Sequence, residues 1–445
     1  MSVSGRSVVV RGVVSTAPDA APLRDGTRPD ELFDLEGRRI RGRVFSDPEI
    51  FDLEMARIFS RSWLFVALES EIPAPGDYVV RPMAGDSVIV SRDAGGAVNV
   101  LLNRCAHRGT QLCVTDCGRA DRFKCPYHGW VFRSDGTLLA MPQQRAWLGD
   151  RDKADYDLHA ARVATRGGLI FATFDDELPD FETYLGDFRF YFDMVWGAVD
   201  DHLVSVGPPQ RWSVPINWKL GAENFVGDTY HLQTTHASLV DLGLTPPFND
   251  LVVAVGTDPR WGHGFQALVP DEPLPPEILL TWLPPEVLPQ LAENLDGEQM
   301  RLIEQGSFPM VATLFPNLSW LALPFFGCLL RVWHPVGPDE IELRTWAIAH
   351  PSADGAQRRA RVQGVNSTFG VTGMFEQDDV AIWSRAQRAH QTLEGSRRYV
   401  SYASTNGAPD PDWPGPGDVW TGFGSEDHIW GFHRRWLHLM SGGDL

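Results

Sequence analysis

The sequence predicts an α+β chain in which a small all-β domain precedes a larger domain that mixes helices with long strands. Three observations carry this expectation. At 445 residues and 43% hydrophobic content, the chain can bury a large core and is long enough for two or three domains. Between Trp63 and about Phe174, short alternating or β-branched runs such as DYVVRP, DSVIVSR and AVNVLLN are separated by Gly, Pro and Asp turns. Beyond Phe174, helical patterns from about Trp218 to His231 and from Phe375 to His390 accompany the strand-like runs CLLRVWHPV and IELRTWAIAH.

Taken in order, residues 1 to about 40 are rich in Ala, Pro, Asp and Arg without periodicity and read as a loose arm with little structure. Ser46 with Glu49 three residues on is a capping-box pattern. Phe51, Met55, Ile58 and Phe59 follow at helical spacing. The tail from about Thr405 is irregular and Gly/Pro-rich until Ser425, which reads as the cap of a last helix carrying Ile429, Trp430, Phe432 and Trp436. There is no internal repeat.

Charge and hydropathy exclude several classes of function. With 39 Lys plus Arg against 58 Asp plus Glu, the net charge of -19 repels nucleic acid and anionic lipid. No stretch approaches roughly 18 uninterrupted apolar residues, so no spanning helix is expected. Arg11 interrupts the N-terminal valine run before a signal-peptide core could form, which points to the cytoplasm. No Gly-x-Gly-x-x-Gly or Walker loop follows a strand, so no nucleotide site is expected on this chain.

Four of the five cysteines, Cys105, Cys113, Cys117 and Cys125, crowd into one segment, which suggests metal rather than disulfides in a reducing compartment. The segment reads Cys105-Ala-His107, seventeen residues, then Cys125-Pro-Tyr-His128. Two such loops can present two sulfurs to one iron and two nitrogens to another, the ligand set of a Rieske [2Fe-2S] centre. The alternative is a structural zinc, which usually takes Cys-x2-Cys and His-x3-His pairs rather than mixed ones. Cys113 and Cys117 have no histidine at useful spacing and read as ordinary small residues.

A second constellation lies in Asn224-Phe-Val-Gly-Asp228-Thr-Tyr-His231-Leu-Gln-Thr-Thr-His236. Asp228 and His231, three apart, would share a helix face, so the carboxylate can orient the imidazole. His236 is five from His231, so the helix should bulge or end between them. Two histidines and a carboxylate form the facial triad of non-haem Fe(II) oxygen chemistry. The carboxylate would come from Phe375-Glu-Gln-Asp378-Asp379-Val-Ala-Ile-Trp383, where Phe375, Asp379 and Trp383 share one helical face and Met374, Asp378 and Ile382 another. Spacing leaves both acids open. His263, His334 and His350 lack comparable partners and read as surface or core residues.

The motif Cys105-Ala-His107-Arg108-Gly109 with Cys125-Pro-Tyr-His128-Gly129-Trp130 resembles the Rieske domain of aromatic-ring-hydroxylating dioxygenase large subunits, and Asn-x3-Asp-x2-His-x4-His downstream is that family's arrangement. Thr110 and Tyr127 stand where respiratory Rieske proteins carry an extra cysteine pair, implying a potential toward the low end of about -150 to +300 mV. The resemblance runs from about Arg41 to the last helix. It favours Asp379 over Asp378 as third ligand and implies a helix-grip catalytic domain with a curved antiparallel sheet. The implied organisation is an arm and helix packing on the catalytic domain over 1–60, a Rieske domain over 61–175 and a catalytic domain over 176–445.

The resemblance further implies one [2Fe-2S] cluster and one mononuclear Fe(II) per chain, and a ring of three chains, usually on three small β subunits. Electrons would come from NADH through a reductase and a ferredoxin. Asp228 would bridge His231 to His128 of the adjacent chain. The implied reaction adds both atoms of dioxygen to adjacent carbons of a small aromatic substrate, giving a cis-dihydrodiol. Pocket candidates by motif position are Asn224, Phe225, Thr229, Leu232, Phe369 and Phe375. An aromatic acid would need a pocket cation, for which Arg358, Arg359 and Arg361 are the nearest candidates in sequence. The rival readings are a Rieske monooxygenase or demethylase, and an electron-transfer protein without catalysis. The N-terminal arm and the Glu-Gln-Asp-Asp form of the third-ligand helix favour the dioxygenase branch.

Overall fold

The computed structural model describes residues 22–245, 247, 253–324 and 326–443. Its β-rich first part holds a four-stranded antiparallel sheet built from Asp77–Met83, Asp86–Arg92, Val98–Leu102 and Cys117–Arg119. Beside it stands a small sheet of Arg122–Lys124, Val131–Arg133 and Leu138–Ala140. A third sheet pairs Leu64–Leu68 with Leu169–Thr173, and the latter with Arg162–Arg166, so the segment leaves and returns on neighbouring strands.

The second part is organised on a nine-stranded antiparallel sheet that stays open, running from Val204–Ser205 at one end to Asp418–Thr421 at the other. Its longest hairpin pairs Gly327–Gly337 with Glu340–Ala349, in the register Leu330 opposite Trp346. These are the two runs expected to be strands. They read as continuous rather than alternating because both faces are covered: Cys328 and Leu330 enter one apolar core with Trp320 and Trp346, while Leu329 and Trp333 enter another with Trp218 and Phe432. Helices Gly355–Thr368, Met374–His390 and Asp427–Met440 accompany the sheet. No described helix is long and apolar enough to cross a membrane.

The N-terminal region is more ordered than its composition suggests. Residues 1–21 lie outside the described residues, but from residue 22 the chain is held. Leu23, Leu32, Phe33 and Ile40 are buried, Phe33 stacks on Trp436 at 5.5 Å, and Arg39–Arg41 pairs with Tyr399–Ser401. Composition hides these few apolar anchors because their partners lie hundreds of residues away. The helix that follows spans Pro48–Arg57 and is capped by Asp47, whose carboxylate accepts from the Glu49 amide at 2.8 Å. The expected cap, Ser46, instead donates to the His390 carbonyl at 3.0 Å. Pro48 at the first helical position explains the one-residue offset. The last helix likewise begins one residue later than expected, at Asp427 after Glu426, while Ser425 accepts from the Asp427 amide at 3.3 Å and donates to its carboxylate at 2.7 Å. Its stripe of Ile429, Trp430, Phe432 and Trp436 is buried as expected.

A fully buried ion pair joins the helices Pro48–Arg57 and Trp218–Asn224, and the last helix closes over it. Lys219 and Glu54 are both 0% exposed and in contact. The indoles of Trp218 and Trp436 donate to the same carboxylate at 2.8 and 2.7 Å. Breaking one partner of such a pair strands a charge in an apolar interior and typically costs about 3–5 kcal/mol. Glu54→Leu is therefore expected to lower unfolding stability by that amount in denaturant titration, and the double variant Glu54→Leu/Lys219→Met to recover much of it.

Candidate metal centres

The two loops of the β-rich part share one hydrogen-bond pattern. Gly109 N donates to Cys105 O at 2.9 Å and Gly129 N to Cys125 O at 3.0 Å, while Cys105 N and Cys125 N donate to the carbonyls of Thr110 and Trp130. Each loop thereby buries its cysteine and holds its histidine near the surface. The rings of His107 and His128 lie 4.4 Å apart between centroids, and Trp130 stacks on His107 at 4.9 Å.

These residues fit a two-iron cluster. The Nδ1 atoms of His107 and His128 are buried and have no hydrogen-bond partner among the described residues, an arrangement that costs free energy unless a ligand receives them. Burial, with a contribution from neighbouring Cys125, pushes the Cys105 thiol above its ordinary range. Two sulfurs and two imidazoles presented on separate loops suit a cluster whose sulfur and nitrogen ligands bind different irons. Elsewhere His231, His236 and Asp379 gather, their donor atoms all within 4.8 Å of one another. Cys113 is buried and Cys117 exposed on its strand.

The second site is built on a broken helix. The helix Trp218–Asn224 ends earlier than the periodicity suggests, because the chain turns at Gly227, whose φ of +126° is costly for any other residue. Asp228 and His231 therefore meet across a turn rather than along a helix face, with Asp228 Oδ2 3.2 Å from His231 Nδ1. A short helix, Leu232–Thr235, then stops at His236, which supplies the expected break between the two histidines.

The third group comes from the helix Met374–His390. Phe375, Asp379 and Trp383 are buried, whereas Met374 and Ile382 are exposed, so the two candidate acids face different surroundings. Asp379 Oδ1 lies 3.5 Å from His231 Nε2 and 3.4 Å from His236 Nε2. Asp378 Oδ2 instead lies 3.4 Å from His236 Nδ1, on the outer side of that ring. Each imidazole thus turns Nδ1 toward an outer carboxylate and Nε2 toward Asp379, the arrangement in which a carboxylate fixes the tautomer of a metal-binding histidine.

The electrostatics of this cluster favour a cation. Burial pushes the Asp379 carboxyl up to about 7, with His231 opposing the rise. Burial disfavours charge on His231 too, but the carboxylates of Asp228 and Asp379 outweigh it and raise the ring to about 9. Burial and the neighbouring His231 lower His236 to about 3. Asp379 Oδ1 is buried without a hydrogen-bond partner among the described residues. A divalent cation with two imidazoles and one carboxylate would satisfy all three groups at once.

The cluster closes one end of a cavity of about 280 Å³. Among the residues expected at the pocket, Asn224, Phe225, Leu232, Phe369 and Phe375 line it. Thr229 does not: it is 0% exposed, and its hydroxyl accepts from the Gly424 amide at 3.0 Å. No Lys or Arg lies among the described lining residues. Arg358 and Arg361 are spent on the carbonyls of Ala353 and Thr281.

Two partnerships behind the site escape the sequence. The outer position of Asp378 is one. The other is Arg331, fully buried, 2.8 Å from Glu376 and donating to the Phe369 carbonyl, so it pins the helix Met374–His390 and a cavity ring together. The available signal was a lone arginine inside CLLRVWHPV, whose burial requires a partner.

Two family models match the chain: the Rieske [2Fe-2S] domain over residues 62–163, and the ring-hydroxylating alpha subunit catalytic domain over residues 182–442. The N,N-dimethyl phenylurea N-demethylase alpha subunit of Sphingobium sp. (strain YBL2) is 33% identical, covering 94% of this chain and 96% of that one. The benzene 1,2-dioxygenase alpha subunit of Pseudomonas putida is 34% identical, covering 96% and 97%. Naphthalene 1,2-dioxygenase from Rhodococcus sp., solved with indole bound, superposes with a TM-score of 0.84 at 36% identity, covering 92% of this chain and 95% of that one.

Asp379→Ala is expected to lower bound iron by about one atom per chain while leaving the two cluster irons and their visible absorption in place. Asp378→Asn, which removes only the outer partner of His236, should weaken retention of that iron against a chelator by about 10–100-fold.

Proposed function

This chain belongs to the family of ring-hydroxylating oxygenase alpha subunits, and on that footing we propose that it is the terminal oxygenase of a multicomponent aromatic-ring dioxygenase. The observation that carries the proposal is the apolar cavity ending on His231, His236 and Asp379, in a chain that also has a Rieske domain. An electron-transfer role alone would need neither the cavity nor the second cluster of ligands.

The reaction proposed adds both atoms of dioxygen to adjacent ring carbons, yielding a cis-dihydrodiol. Cys105, His107, Cys125 and His128 would hold the [2Fe-2S] cluster, and His231, His236 and Asp379 the mononuclear iron. Bound there, the two groups supply single electrons and dioxygen activation. The chain's own part is positional. Phe225, Leu232, Phe369 and Phe375 bury the ring and exclude water from its reacting edge. Asp228 and Asp378 accept from the Nδ1 atoms of His231 and His236, which keeps each Nε2 free to ligate. A cavity of about 150 Å³ accepts benzene, so the volume here suits one ring or two fused rings. With Asp228 and Asp379 in the wall and no Lys or Arg among the described lining residues, the site suits neutral arenes over aromatic acids.

The partners follow from the same family membership. We propose an assembly of three such chains, with or without three small β subunits, in which Asp228 bonds His231 of its own chain and His128 of the next. A ferredoxin and an NADH-dependent reductase would supply the electrons. The second reading is N-demethylation, favoured by the phenylurea N-demethylase relative, whose 33% identity is one point below the 34% of the benzene dioxygenase.

Single turnover of the anaerobically reduced holoenzyme with ¹⁸O₂ and a panel of neutral arenes separates the two. The expected product carries two labelled atoms in a cis-diol. One labelled atom, or loss of a methyl group as formaldehyde, would assign the demethylase branch.

A further inference from the structure

The strand Gly264–Leu268 alternates between two surroundings. Phe265 and Ala267 enter the apolar core behind the sheet, whereas Gln266 and Leu268 face the cavity. Across the sheet from Gln266 stands Val311, and beyond it Leu321, both also lining the cavity. Gln266 is thus an amide set among the apolar side chains of this sheet wall. It is only 7% exposed, and its side chain makes no hydrogen bond among the described residues. Its stem abuts the turn that carries Asp228, since a Cβ placed on Gly227 would lie 2.7 Å from Gln266 Cβ. The Thr245 hydroxyl, which lines the same cavity, is also buried without a partner among the described residues.

An amide that faces an apolar cavity with no protein partner calls for a ligand or water to complete it. We propose that Gln266 is a specificity-determining residue, and that the substrate is a neutral arene bearing one hydrogen-bonding substituent of carbonyl, amide or hydroxyl type. The inference rests on the cavity being the substrate site of the oxygenase proposed above. The amide offers an N–H donor and a carbonyl acceptor, so it can serve either side of such a bond. An anionic substituent is disfavoured by the carboxylates in the cavity wall. A site built to bond a substituent discriminates strongly against the analogue that lacks it, because its own polar group is then stranded.

The test compares acetophenone with α-methylstyrene, which share a shape and differ in a carbonyl oxygen against a methylene carbon. Binding of each to the anaerobic, reduced holoenzyme is measured by calorimetry, with no oxygen present and therefore no turnover. In Gln266→Met, the ratio of acetophenone to α-methylstyrene affinity is expected to fall about tenfold relative to wild type, the equivalent of one net hydrogen bond. Gln266→Asn, which keeps an amide, should retain part of the preference. Unchanged cluster absorption and iron content show that both variants fold. An unchanged ratio in Gln266→Met, or no measurable binding of either probe to wild type, overturns the proposal. If the ratio shifts but no arene in the ¹⁸O₂ panel yields a doubly labelled diol, the dioxygenase reading fails and the role of Gln266 stands.

Discussion

The fully buried contact between Lys219 and Glu54 sets the geometry on which the catalytic half depends. Lys219 sits in the helix Trp218–Asn224, whose end launches the turn bearing Asp228 and His231 and then the short helix ending at His236. Glu54 belongs to the N-terminal helix, and its carboxylate also receives the indoles of Trp218 and, from the last helix, Trp436. With its charge unable to reach water, the carboxylate can be accommodated only where all three donors converge. Elements from the two ends of the chain therefore clamp the segment that carries the two imidazoles and Asp228.

A second balance of buried charge governs the site. Carboxylates and imidazoles placed among aromatic side chains must either lose their charge or find partners. Asp228 is matched to His231, Asp378 to His236, and Glu376 to Arg331. Asp379 faces inward, its Oδ1 buried without a hydrogen bond among the described residues, and both Nε2 atoms point at it. The surrounding pairs cancel their own charges, so the remaining demand for positive charge is concentrated at one point beside an apolar cavity. The same rings that make that point costly for a bare carboxylate make the cavity suited to an arene.

How far this was legible in the sequence depends on how local each feature is. The periodicity of Phe375, Asp379 and Trp383 identified the buried face, and the structure separates Asp379 from Asp378 along that division. The long strands were readable because nearly every position is apolar. Caps were misread by one residue at Ser46 and Ser425, where a serine is used for a distant carbonyl or a neighbouring carboxylate and the adjacent acid precedes the first turn. The helix toward His231 was read too long because apolar spacing continues past Asn224, while Gly227 decides the turn. Order from residue 22 onward was missed since Leu32, Phe33 and Ile40 are too few to form a pattern and gain their burial from the far end of the chain.

What the sequence determined by itself were the contiguous motifs: the two Cys/His loops, the Asn-to-His segment, the acidic helix and the alternation of strands and helices. Each is encoded by residues within a few positions of one another, where backbone geometry fixes their relation. Tertiary structure alone decided which acid joins the two histidines, that Thr229 turns away from the cavity, that Arg331 meets Glu376 and that Gln266 faces an apolar wall. It also brought Lys219 to Glu54 across 165 residues. The reason is physical: sheet register and helix packing determine which distant side chains share a low-dielectric interior, and there every charge or amide must be matched by a partner that spacing along the chain cannot specify.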